Sequence, residues 1–127
     1  MRIDIHQHFL PHPPPYPHES LQTWLHTDSR VQDYADVPAV VAALDAAQID
    51  MAVWQGEYYR HHDSCVHRNR AVMLAQRAAP TRLQAFVMIQ PNHPDACDEI
   101  ARGVAAGMCG VGELSPAAQG FSLRDAG

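Results

Sequence analysis

Four short strand-like runs, separated by stretches of helical periodicity, limit what this chain can fold into. The runs are Arg2 to His8, Met51 to Trp54 (MAVW), Leu83 to Ile89 (LQAFVMI) and Met108 to Leu114 (MCGVGEL). A strand, a helical crossover and another strand, repeated, is the pattern of a parallel sheet with right-handed connections. A run such as FVMI, apolar throughout, suits a strand covered on both faces. The expected fold class is therefore α/β, a single domain over residues 1–127 built from parallel β/α units. Two architectures satisfy the pattern: an open doubly wound sheet, or part of a (β/α) barrel.

The local signals place the elements. In the first run Ile3 and Ile5 point one way and Asp4, His6 and His8 the other. Phe9 and the cluster Pro11, Pro13, Pro14, Pro15 and Pro17 end that strand, because prolines so close together suit neither a helix nor a central strand. A proline-rich loop over about residues 9–35 follows. Asp36 is a good N-cap, and Val37, Val40, Val41, Leu44 and Ala47 then share one helical face. Gln55 to Asp63 reads as a polar loop. Asp63 or Ser64 caps a second helix running to about Ala79, with Ala71, Leu74, Ala75 and Ala78 as its apolar stripe and Pro80 as its stop. Pro94 marks the start of a third helix lined by Ala96, Ile100, Gly103 and Val104, with Gly107 suited to its C-terminal cap.

Composition removes several function classes. The net charge is −5 and there is no basic run, so nothing favours nucleic acid or anionic lipid as partner. No apolar run reaches the roughly 18 residues of a membrane span. The opening MRIDIHQHF carries charge and histidine where a signal peptide would be apolar, so a cytoplasmic location is expected. Cys65, Cys97 and Cys109 have the spacing of neither a zinc ribbon nor a disulfide framework, and reduced thiols are expected.

An open nucleotide-binding sheet usually has a glycine-rich turn after its first strand. Here His8, Phe9 and prolines stand in that place. In a barrel, reactive groups sit at the C-terminal ends of the strands, which is where His6 and His8 fall. Two histidines two apart on a strand project from one face, about 6.5 to 7 Å apart along the backbone, and can converge on one divalent ion. Asp4, on the same face by alternation, is placed to orient a histidine. Glu113 ends the fourth run, on a face with Cys109 and Val111. A carboxylate in so apolar a strand is costly unless it is paired or metal-bound, or open to water at an edge. His61, His62 and His67 read as solvated loop and helix-start residues, His12, His18 and His26 as surface, and Trp54, Tyr58 and Tyr59 as packing. No serine lies in a nucleophile elbow.

Together these residues resemble the amidohydrolase superfamily, and within it the amidohydrolase-related metal-dependent hydrolases. The opening IDIHQHF is similar to the family's first-strand signature. Asn69, Pro80-Thr81-Arg82-Leu83, AFVMIQP, EIARGVAAGMCGVGEL, Pro116 and Gln119-Gly120-Phe121 follow in the family's order. The resemblance implies the first half, about four strands, of a TIM-like (β/α)8 barrel. It implies that His6 and His8 are metal ligands, with Glu113 as a metal-bridging or metal-proximal carboxylate. The cofactor would be a divalent ion, zinc by preference, that polarises a substrate carbonyl and activates water. The reaction implied is hydrolysis of an amide, ester or lactone in a small-molecule substrate; some relatives instead decarboxylate aromatic acids without oxidation.

The family's further metal histidines, on strands five and six, and its strand-eight aspartate have no counterpart in these 127 residues. A barrel of this kind takes about 250 residues. The expectation is thus a truncated or incomplete hydrolase whose chain alone lacks a full site. Four strands also leave two unpaired edges, through which a homo-oligomer is expected to form. The competing reading is a non-catalytic, histidine-rich metal-binding or interaction domain.

Overall fold

A computed structural model describes residues 1–8 and 36–124. The proline-rich loop expected over 9–35, with His12, His18 and His26, lies outside the described residues. The strands are β1 (Ile3–Gln7), β2 (Met51–Trp54), β3 (Leu83–Val87) and β4 (Gly110–Val111). The helices are α1 (Val37–Ala46), α2 (His62–Ala78), α3 (Ala96–Ala105) and the short α4 (Pro116–Gln119). The strands pair in chain order, β1-β2-β3-β4, every pair parallel, and form a curled half-barrel. No helix of the described residues is long and apolar enough to cross a membrane.

The curl follows from one contact. Strands in a sheet lie about 4.8 Å apart, so β1 and β4 would stand about 14 Å apart across a flat four-stranded sheet. His8, just past β1, instead reaches Glu113, just past β4, at 3.6 Å. The loop after β2 crowds the same region. A side chain on Gly56, whose φ is +83°, would meet the Gly112 carbonyl oxygen at 2.8 Å, so only glycine fits there.

Most elements form for the reasons the sequence offers. Asp36 caps α1 with its Oδ1 accepting from the Ala39 N–H at 2.8 Å, and Val40 and Leu44 are buried one turn apart. Gly107, at φ +89°, follows α3 as expected. Gly103 lets α3 lie directly on β3, because a Cβ there would collide with Val87. The core is built from Val40, Leu44, Ala52, Trp54, Val72, Met73, Leu83, Ala85, Val87 and Met88, with Met108 beneath β4.

Several expectations change along the elements. First, α2 begins at His62, with His61 as its N-cap and no side-chain cap bond, rather than at an Asp63 or Ser64 cap. Second, its buried face keeps only Ala75 of the expected stripe: Leu74 is 66% exposed, while Arg68, Asn69 and Gln76 are buried beside Cys65, Val72 and Met73. Partners on other elements make this affordable. Asn69 donates to the Met88 carbonyl at 2.8 Å and accepts from the Met88 N–H at 2.9 Å. Gln76 donates to the Gly107 carbonyl at 3.0 Å. Third, β3 stops at Val87 because that asparagine amide takes both backbone groups of Met88, which a neighbouring strand would otherwise use. Fourth, β4 is two residues long, its ladder bounded by Cys109 N–H on Ala85 O and Gly112 N–H on Val87 O.

The loop read as polar, Gln55 to Asp63, is interior in its first half and exposed at Arg60, His61 and Asp63. Glu57 is 4% exposed and Tyr59 3%. Arg68, itself 2% exposed, donates to the Glu57 carboxylate through Nε at 3.1 Å and Nη2 at 3.4 Å. The Tyr59 hydroxyl donates to the same carboxylate at 3.2 Å, and the Arg68 guanidinium lies 5.5 Å from the Trp54 ring centroid. Burial, and then the Glu57 carboxylate, raise the Tyr59 hydroxyl above the usual tyrosine range. Trp54 and Tyr59 are packing residues, as expected.

Candidate metal centre

The first strand does not keep a simple two-residue alternation. Asp4 pairs with Ala52 and Gln7 with Trp54, so β1 spends three residues where β2 spends two. This bulge re-aims the side chains that follow it. Asp4 and Gln7 share a face with Ala52 and Trp54, and His6 and His8 lie on the other. Asp4 is thus separated from the ring face that alternation gave it. Its Oδ1 accepts from the His6 backbone N–H at 3.1 Å. It therefore holds the bulged backbone beneath His6 rather than an imidazole.

The bulge brings the two rings together. His6 Nε2 and His8 Nε2 are 2.9 Å apart, and the ring centroids lie 4.9 Å apart at an interplanar angle of 65°. Glu113 joins from β4, its Oε2 3.6 Å from His8 Nε2. Glu113 lies past the end of the β4 ladder, so its direction is not bound by the alternation that grouped it with Cys109 and Val111. One ligand atom from each of His6, His8 and Glu113 falls within 4.8 Å of the others. His6 is exposed, and the side chains of His8 and Glu113 are 13% and 33% exposed.

These residues fit a divalent ion on three counts. Two nitrogens about 2.0–2.1 Å from one ion and 2.9 Å apart subtend roughly 90° at it, somewhat tighter than a tetrahedral pair. The donor set, two imidazoles and a carboxylate, is one that zinc accepts. Glu113 Oε2 is sealed from water and has no hydrogen-bond partner, although it faces His8. A buried oxygen in that condition calls for an ion or a proton.

Around this cluster stand residues that the sequence motifs contain but to which sequence reasoning assigns no role at the site. Gln119, buried, donates to the carbonyls of Tyr59 at 3.2 Å and Ile89 at 2.7 Å, and its Oε1 accepts from the Ser115 N–H at 3.0 Å. Gln90 donates to the carbonyls of Arg60 at 2.8 Å and Gln119 at 2.9 Å. These two amides lock together the chain segments leaving β2, β3 and β4. Tyr58 belongs to the site's surroundings: burial, and then the Glu113 carboxylate, raise its hydroxyl above the usual range. His67 is exposed, as read from the sequence, but His62 stacks on His93. No family model matches the chain, and no curated protein matches it, so the likeness to amidohydrolases rests on the ordered motifs themselves.

Proposed function

We propose that this chain contributes the first-strand and fourth-strand ligands of a metal-dependent hydrolase built on a (β/α)8 barrel. One observation carries the reading: His6, His8 and Glu113, from opposite edges of the sheet, converge at the C-terminal ends of parallel strands. A divalent ion held by these three, zinc by its donors, supplies Lewis acidity toward a substrate carbonyl and toward water. His6 and His8 offer their Nε2 atoms as neutral donors. Glu113 Oε2 would balance part of the ion's positive charge. Asp4 keeps the His6 backbone in its bulge, and Gln90 and Gln119 tie together the segments that leave β2, β3 and β4. The substrate class is a small amide, ester or lactone.

The test is turnover with zinc present, across a panel of esters, lactones and anilides, with carbon dioxide release from aromatic acids followed in parallel. Slow hydrolysis that a chelator stops and Glu113→Gln reduces is the expected result. Zinc bound with no turnover of any kind, both by this chain alone and when it is joined to the four further strands of a complete barrel, would sink the hydrolase reading in favour of a metal-binding domain. Carbon dioxide release without hydrolysis would move the reaction to the carbon–carbon lyases.

The edges of the sheet bear on partners. Among the described residues, Ile3 and Ile5 on β1 are 43% and 70% exposed, and Val111 and Leu114 at β4 are 37% and 40% exposed. A homo-oligomer through these edges follows from their unpaired backbone groups. Native mass measurement is expected to give a dimer or larger at high concentration, and a monomer throughout would contradict it.

A further inference from the structure

We propose a second divalent-metal site, formed by His62, His93 and Asp95 and independent of the first. His62 opens α2, and His93 and Asp95 lie in the connection from β3 to α3, so the site bridges two neighbouring loops at the C-terminal end of the sheet. The His62 and His93 rings stack with centroids 3.9 Å apart, parallel to within 7°. One ring nitrogen from each and one Asp95 oxygen lie within 4.8 Å of one another.

Two further observations point to a ligand. His62 Nδ1 is sealed from water and has no hydrogen-bond partner, an expensive condition for a ring nitrogen. Asp95 already stands 3.9 Å from His93 Nδ1, close enough to complete a shell and too far for a hydrogen bond. That Nδ1 accepts only a long bond, 3.3 Å, from the Asp95 N–H, which an ion can displace. Parallel rings keep their in-plane lone pairs in two separate parallel planes, so a shared ion requires one ring to tilt. The terminal torsion of histidine is broad, and the tilt is inexpensive. The nitrogen-rich set with one carboxylate selects a borderline divalent cation such as zinc over calcium or magnesium. Once bound, the ion ties the start of α2 to the approach of α3.

Equilibrium dialysis of the folded chain against zinc chloride, with protein-bound zinc measured by elemental analysis, decides the matter. The intact chain is expected to bind two equivalents. His62→Ala and His93→Ala each retain one, and Asp95→Asn weakens the second equivalent roughly tenfold. His6→Ala loses the other equivalent and keeps this one, so failure of the first site and failure of the second are told apart. His62→Gln keeps a polar side chain at the helix start, and unchanged circular dichroism with one equivalent lost separates ligand loss from misfolding. Two equivalents retained in both His62→Ala and His93→Ala would overturn the site, as would a single equivalent in the intact chain that His6→Ala removes.

Discussion

Arg68→Met is expected to destabilise the fold by about 3–5 kcal/mol, the cost of breaking a buried ion pair from one side. The guanidinium holds both oxygens of Glu57, and both side chains are almost completely removed from water. Methionine fills much of the volume and supplies no charge. Glu57 then keeps the Tyr59 hydroxyl as a donor, too little to offset the desolvation of a carboxylate. A domain of this size has about 5–15 kcal/mol in total, so the variant sits close to unfolding at ordinary temperature. Urea denaturation measures the effect as a fall in midpoint with an unchanged slope. The double variant Glu57→Gln/Arg68→Met, which buries no charge, is expected to recover part of the loss. A single-variant loss under about 1 kcal/mol would place this pair with solvent-exposed bridges and contradict its burial.

That pair also shows where sequence reasoning stops. Glu57 and Arg68 are eleven residues apart, in a stretch that looks like a solvated loop and a charged helix face. Nothing local distinguishes a charge that faces water from one that meets its partner inside. The same blindness misplaced most of the stripe of α2, since Ala75 is inside as expected but Leu74 faces water and Arg68, Asn69 and Gln76 are buried. The strand MAVW, by contrast, was legible to the residue, because a compact apolar run between polar stretches has one stable use. Alternation in β1 was legible as far as Asp4 and failed at the bulge, which only pairing with β2 reveals. The stacking of His62 on His93 joins residues 31 apart in sequence through two loop geometries, and no periodicity encodes it.

The candidate metal centre stands between these cases. The spacing of His6 and His8 was readable, and so was Glu113 at a strand end. Their meeting was not, because it depends on a bulge in one strand and on the curl that brings the first and fourth strands together. The contact of His8 with Glu113 at 3.6 Å is therefore independent support for a shared site, since nothing in the HxH spacing demands it.

The largest expected effect follows from that convergence. His8→Ala is expected to weaken zinc binding at the first cluster by on the order of 100-fold or more, because it removes the ligand that touches both other members. His6→Ala leaves His8 with Glu113 and is expected to be nearly as damaging. Glu113→Gln keeps the shape and removes the charge, so the loss should be smaller, about tenfold to 100-fold. Asp4→Ala touches no ring nitrogen. It removes the acceptor of the His6 N–H, so any effect on zinc comes through the bulge, and the His6–His8 pair should loosen without losing a donor. Titration with zinc against a competing chromophoric chelator ranks all four. The order His8, His6, Glu113, Asp4 is the signature of ligands gathered by a bulge and a curled sheet. Equal, weak effects at all four positions would mean that zinc is shared among many histidines and that no centre forms at the strand ends.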